Sequence, residues 1–407
     1  MFTRRQFAGF SAALPLAAAQ TNTRAPARPA FKVAAIVTEY RHWSHADVIV
    51  GRLLGGNSSD GIWHAPRTNV VSLYTDQVPA NDMSRDLAAR HGFRIYPTIR
   101  EALCQGGPKL SVDAIVFVGE HGNYPSNDLG QHLYPRFELF NQILDVVEAS
   151  RRPVPIFSDK HLSYSWDKAK PMYDRARKLN VPLMAGSSIP VTIREPNLQY
   201  PIGAKLELAV AVGYGPLDAY GFHTLEVLQC MAERRGAQGE TGVKAVQMLT
   251  GAAVWAWHDS AQGAWTKPLL QAAVARSPTN SGQPVYSAKE PVAFVIEYRD
   301  GFQGAAYMLN GIVSDWAFAG QESGAIASTF FGLRSPGRPL PHFDGLVRCL
   351  EAFFLTGQPT HPVERTLLTT GMLAAAFESK RRNGARVETP ELAIAYAPPQ
   401  NPLVQRG

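Results

Sequence analysis

Between residues 32 and 184 the chain alternates short, wholly apolar runs with segments of helical periodicity, and few folds tolerate that pattern. Lys32 to Val37, Val70 to Tyr74 and Val112 to Val118 have strand length and few polar residues on either face. Strands apolar on both faces must be covered on both, as when helices cross between parallel strands. The segments between them supply the helices. Ala46, Ile49, Val50, Leu53 and Leu54 repeat at helical spacing, and Met83 to Arg90 reads as a helix stopped by Gly92. Pro135 opens another, with Phe137, Phe140, Leu144 and Val147 on one face. Residues 31–190 are expected to form a doubly wound α/β domain with a parallel sheet.

One stretch of that domain stands out. Ile156, Phe157 and Ser158 lead directly into Asp159, Lys160 and His161. In an open parallel sheet, ligands bind outside the carboxyl ends of the strands. These three polar side chains therefore stand where chemistry is usually done. Ala169, Met172, Tyr173, Ala176 and Leu179 then mark a helix. Its start is expected at Asp167 rather than behind Ser165, because the longer helix would hold Pro171 deeper inside. A short strand, Pro182 to Met184, follows.

The pattern changes after Pro190. Strand-like runs at Leu206 to Val212 and Val243 to Leu249 flank a helix from Asp218 to Arg234. Pro291 to Tyr298 and Gln303 to Leu309 form a hairpin about Asp300-Gly301. Trp316 to Ala319 and Ile326 to Leu333 add strands, and two helices follow, the second from Pro362 to about Lys380. Residues 191–380 are expected to form an α+β domain with a large, mostly antiparallel sheet. Residues 381–407 read as a tail.

The front of the chain reads as an address rather than as structure. Thr3-Arg4-Arg5-Gln6-Phe7 precedes an apolar run from Phe10 to Ala19, so residues 1–20 read as a twin-arginine export signal and 21–30 as a tether. A periplasmic or other extracytoplasmic location is expected. The run is short of the ~20 apolar residues a membrane span needs. The net charge of +6 sits partly in Arg4 and Arg5. The basic block of the body, Lys380 to Arg382, suits a helix end, so no nucleic-acid partner is expected. Three cysteines with no C-x-x-C argue against a disulfide framework.

The same sheet edge is dense in histidines and acids: Glu39, His42 and His45; Asp76; Glu120 and His121; Asp159 and His161; with His223 facing them from the second domain. Such a set either holds a divalent metal or bonds to itself around a polar sugar pocket. No close-spaced ligand motif such as H-E-x-x-H is present, and no metal is assigned. Tyr40, Trp43, Tyr124, Tyr164 and Trp166 offer flat faces to a sugar ring or anchor their loops.

The mature chain resembles the Gfo/Idh/MocA family of nicotinamide-dependent oxidoreductases. Val112-Asp113-Ala114-Ile115-Val116 is similar to its fourth strand, and Ser158 to Leu162 falls at its E-K-P-L motif. Gly221-Phe222-His223 falls near its D-x-x-x-H motif, and Ala375 to Ser379 with Arg386-Val387 resembles its C-terminal helix and tail. The resemblance implies a Rossmann-like dinucleotide-binding domain, NAD or NADP, and a sugar-like alcohol as substrate. It implies Lys160 on the reacting hydroxyl, His223 as proton carrier and Asp159 beside them as catalytic residues. His161, Tyr124 and Tyr220 would touch substrate. Thr38, Glu39, Arg41, Asp76, Glu120 and His121 would touch cofactor. It also implies pairing of two copies through an open sheet of the second domain.

The chain departs from the family where G-x-G-x-x-G should follow the first strand. The loop is Thr38-Glu39-Tyr40-Arg41-His42-Trp43, and the glycine positions hold Val37, Glu39 and His42. Glu39 sets a negative charge where phosphates would lie. Besides a nicotinamide oxidoreductase, two readings stay open. One is a cofactor-free carbohydrate-binding descendant. The other is a histidine-based hydrolase, lyase or isomerase, with or without metal.

Overall fold

The computed structural model describes residues 30–58, 62–236, 239–333 and 340–402. The expected export signal, nearly all of the tether and the last few residues of the tail lie outside them. The first domain runs β1 (Lys32–Val37), α1 (His45–Gly55), β2 (Asn69–Thr75), α2 (Ser84–His91), β3 (Arg94–Ile95), α3 (Ile99–Cys104), β4 (Ala114–Val118), α4 (Arg136–Ser150), β5 (Ile156–Asp159), α5 (Trp166–Lys178) and β6 (Leu183–Gly186). Its six strands pair in parallel in the order β3-β2-β1-β4-β5-β6.

Strand alternation explains the apolar runs. Ala34, Ile36, Ile115, Phe117 and Ile156 face the layer of α3, α4 and α5. Val33, Ala35, Val37, Val116, Val118 and Phe157 face the opposite layer. The chain turns outward in opposite directions from β1 and β4, which makes their carboxyl ends the switch point of the sheet. α5 begins at Trp166, behind Ser165, one residue earlier than expected. Pro171 does sit inside it, on the exposed side, while Ala169, Met172 and Ala176 are buried. Burial of that face outweighs the lost backbone bond.

The second domain runs β7 (Ile193–Glu195), β8 (Leu206–Gly213), α6 (Leu217–Ala232), β9 (Val243–Thr250), α7 (Ala252–Asp259), α8 (Thr266–Arg276), β10 (Lys289–Tyr298), β11 (Gln303–Asn310), β12 (Trp316–Glu322), β13 (Ala325–Gly332), α9 (His342–Thr356), α10 (Val363–Arg381) and β14 (Val387–Glu388). Its eight-stranded sheet has the order β14-β9-β10-β11-β8-β12-β13-β7. Neighbours are antiparallel except β11 and β8, which run parallel. α6 and α10 cover one face, with Phe222, Leu225 and Met372 against Phe294, Met308 and Phe318.

The other face corrects an expectation. It is not open: Val254 of α7 and Leu269, Leu270 and Ala273 of α8 pack on Val210, Val212, Ala293, Tyr307 and Ala319. The surface through which two copies were expected to pair is covered by the chain's own helices. Two late segments also cross the expected boundaries. α9 packs on the first sheet, where Phe343, Leu346, Val347 and Phe353 join Val33, Ala35, Ile49 and Leu53. A buried ion pair, Arg52 to Asp344 at 2.9 Å, fixes it to α1. The tail returns as β14 to the edge of the second sheet. The three cysteines are free and buried. Among the described residues no helix is long and apolar enough to cross a membrane.

Candidate active site between the domains

The turns that follow β4 and β5 contain residues with unusual backbone. His121 (φ 71°) and Lys160 (φ 48°) both lie in the left-handed region. That conformation costs a side-chain-bearing residue on the order of 1 kcal/mol and persists where neighbours enforce it. At Lys160 the backbone amide donates to the Gly186 carbonyl at 3.0 Å. The turn aims the Lys160 ammonium at Glu120, which accepts from it at 2.7 Å. Glu120 also accepts from Arg136, the first residue of α4. Burial by itself would raise the Glu120 carboxyl, but Lys160 and Arg136 hold it well below the usual carboxylate range. Two buried cations thus share one carboxylate, and the local balance is positive.

A cavity of about 530 Å³ opens beside this cluster, between the domains. His45, Glu120, His121 and Lys160 line it from the first domain, and Tyr214, Asp218, Tyr220, His223 and Trp316 from the second. Lys160 and His223 therefore face one cavity from opposite sides. The His223 ring is held edge-on by Tyr220 and Trp316, with centroids 5.8 and 5.4 Å away. Its Nδ1 is buried with no partner among the described residues. Burial, reinforced by the Lys160 charge, depresses its pKa well below the ordinary histidine value, so the ring is neutral at pH 7. His45 is backed by Asp159, whose carboxylate lies 2.7 Å from Nδ1. That bond leaves Nε2 for the cavity that the ring lines. Burial, then His45, brings His121 down to about 3. Burial raises Asp218, which accepts from the His132 amide at 3.0 Å.

Such an arrangement offers an ammonium for a substrate oxygen, neutral imidazoles for its protons, and aromatic walls for the apolar face of a ring.

Several expected site residues stand elsewhere. Asp159 is 1% exposed and does not line the cavity; it positions His45. His161 lies behind Lys160, 2% exposed, where its Nε2 accepts from Arg136 at 3.0 Å and its ring packs on Phe222. It is an internal support rather than a substrate contact. Tyr124 points to the other side of the sheet edge, where its hydroxyl donates to Asp76 at 2.6 Å. Asp76 also accepts from Tyr74 at 2.8 Å. Thr38 is fully buried and donates to the Glu120 carbonyl at 2.8 Å. Glu39 and Arg41 are bonded to each other. None of Thr38, Glu39, Arg41 and Asp76 lines the cavity, whereas Glu120, His121 and Tyr220 do. The aromatic expectation shifts likewise. Tyr40 is fully buried, and Tyr134, Tyr214 and Trp316 line the cavity beside Trp43.

Within the sheet-edge set His45 and Asp159 bond to each other; Glu39 and His121 bond to Arg41, Asp76 to Tyr74 and Tyr124, Glu120 to Lys160 and Arg136, and His161 to Arg136. Among the described residues, no group of three or more histidine, cysteine or acidic side chains is placed to hold a metal. Arg136 and His342 escaped the sequence reading. Arg136 follows Pro135 like any polar first-turn residue, and nothing local marks it as buried. His342 comes from α9, whose place on the first domain no nearby residue announces.

Neither a protein-family model nor a curated protein matches the sequence. Solved structures match its fold. GenD2 from gentamicin A biosynthesis, in complex with NAD, is 16% identical over 89% of this chain and 97% of that one, with a TM-score of 0.57. A putative myo-inositol dehydrogenase from Sinorhizobium meliloti 1021 is 11% identical over 90% and 100%, at 0.54. The myo-inositol dehydrogenase from Lactobacillus casei, in complex with NAD(H) and myo-inositol, is 12% identical over 88% and 96%, at 0.53. The chain has the fold of these Gfo/Idh/MocA-type NAD-binding dehydrogenases.

A dinucleotide on such a scaffold crosses the sheet at the switch point, with its pyrophosphate on the N-terminus of the first helix. The residues present there do not fit one. Ser44 caps α1 by accepting from the Asp47 amide, and the Asp47 carboxylate accepts from the Trp43 amide at 2.9 Å. Asp47 and Glu39 set two carboxylates where phosphates would lie. Like charges ~4 Å apart in partly wet surroundings repel by a few kcal/mol. Arg41 is held by Glu39 and reaches across to His121 Nδ1 at 3.4 Å.

Proposed function

We propose that the protein is an enzyme acting on a small, carbohydrate-like substrate in the cleft between its domains. Lys160 binds a substrate oxygen and His223 exchanges a proton with the substrate. Asp159 acts one step back, by orienting His45. The observation that carries this reading is the shared cavity: an ammonium from the end of β5 and a neutral imidazole from α6 face the same space. Its volume lies within the roughly 300–1,000 Å³ typical of small-molecule sites. A buried lysine is costly to keep without a role.

Lys160→Met should abolish turnover and leave the circular dichroism spectrum unchanged; unchanged turnover would remove Lys160 from the mechanism. The solved neighbours favour a second reading: transfer of hydride between NAD or NADP and a sugar-like alcohol. A thermal shift on adding NAD or NADP would support it, and its absence speaks for chemistry without the cofactor. We also propose export by the twin-arginine route, on the strength of Arg4-Arg5 and the apolar run behind them. Replacing both arginines by lysine should leave uncleaved protein in the cytoplasm; cleavage as before would refute it.

A further inference from the structure

We propose that this cleft works without a dinucleotide and catalyses a redox-neutral isomerisation, moving a proton at the carbon beside a carbonyl group of a sugar. The proposal rests on the reading of the cleft as a sugar site.

Its first support is the state of the dinucleotide crevice. Loops that should stand apart over the switch point are joined there. The side chain of Gln77, after β2, accepts from the Asn123 amide at 2.8 Å and donates to the Asn123 carbonyl at 3.2 Å, after β4. Beside this pair the Tyr124 hydroxyl donates to Asp76, the residue placed to read a ribose. Gly122 (φ +115°) lets the loop fold back so tightly that a Cβ there would lie 2.5 Å from the Tyr124 ring. On the cleft side, Arg41 bridges the β1 and β4 loops through His121. A dinucleotide would have to break these contacts and then face Asp47 and the Glu39–Arg41 pair.

The second support is what remains open. Lys160 and two imidazoles line one cavity: His223, with an unpartnered Nδ1, and His45, backed by Asp159. A held oxyanion and a neutral base are the two needs of enolisation. One histidine removes the proton from the carbon next to the carbonyl. The C–H electron pair becomes the C=C bond of an enediolate, and the carbonyl oxygen takes up the negative charge beside the Lys160 ammonium. The proton is then delivered to the former carbonyl carbon, and the neighbouring hydroxyl proton passes to the charged oxygen. The carbonyl has moved one carbon along, no electrons have left the substrate, and no hydride acceptor is needed.

The test has two arms on the purified protein. Calorimetric titration with NAD⁺, NADH, NADP⁺ and NADPH is expected to show no binding at millimolar concentrations, and the acid-denatured supernatant to hold no nucleotide. Micromolar binding of any of the four, or a released nucleotide, overturns the proposal. In D₂O, aldoses and ketoses that bind the cleft should lose the proton signal beside the carbonyl on the order of a hundredfold faster than in buffer. His223→Gln should stop this exchange while still binding the sugar, and Gln77→Ala should keep it. Sugars that bind without exchange overturn the isomerisation alone. If no sugar of the panel binds, the reading of the cleft falls, and the isomerisation with it.

Discussion

Glu120 is the residue on which the buried charge of the site turns. It is 4% exposed and is the carboxylate shared by Lys160 and Arg136. Glu120→Gln keeps the shape and leaves two buried cations facing each other. Removing one partner of a buried pair typically costs about 3–5 kcal/mol. The variant should lower the unfolding free energy measured in urea by that amount; a drop under ~1 kcal/mol would mean the cations are already solvated. The buried histidines add a pH dependence. Burial brings His342 down to about 4 and His361 down to about 3, and burial, with nearby cations, also depresses His161 and His223. A histidine depressed in the fold is neutral there and gains a proton on unfolding. The stability linked to it is complete above the ordinary histidine value and falls as pH drops below it. At about pH 5 His342 and His361 each cost roughly 2 kcal/mol, and His161 and His223 act in the same direction. Urea unfolding at about pH 7 and pH 5 should differ by several kcal/mol, and equal midpoints would show that these rings are wet.

At the scale of elements, α5 and α8 show burial overruling local preference. α5 carries Pro171 inside because Met172 and Ala176 are fully buried on its other side. Pro171→Ala should restore a backbone bond at an exposed position and stabilise the protein by about 1–2 kcal/mol. A destabilised variant would show that the ring packs on something. α8 covers the sheet face that was expected to be bare. Leu269 is fully buried there, and Leu269→Ala should cost about 2–5 kcal/mol in urea unfolding; a loss near zero would mean the helix is only loosely docked. α8 was hard to read because Leu269, Leu270, Ala273 and Val274 form too short a periodic run to distinguish from the loops beside it.

For the whole molecule, the late helix α9 makes the first domain dependent on the rest. Phe343, Leu346, Val347, Leu350 and Phe353 complete the layer that covers one face of the parallel sheet. A fragment of residues 31–190 should therefore expose that face and fail to unfold cooperatively in urea. A cooperative transition in the fragment alone would show that α9 is dispensable. The same long connection brings His342 and Phe343 to the wall of the cavity, some 180 residues after Lys160 in the chain.

Periodicity alone determined the two-domain α/β plan, because an apolar run must be buried on as many faces as it has. The end of β5 was legible as a site for the same reason: Asp159, Lys160 and His161 break the apolar pattern where a parallel sheet opens. Which of the three reaches the cavity was not legible, since successive residues at a strand end point different ways. Only the tertiary structure sent Lys160 into the cavity, His161 behind it onto Arg136, and Asp159 onto His45. It alone joined Gln77 to Asn123 and Tyr124 to Asp76 across the switch point. Such contacts link residues about 50 apart through loop geometry, which leaves no periodic trace in a sequence.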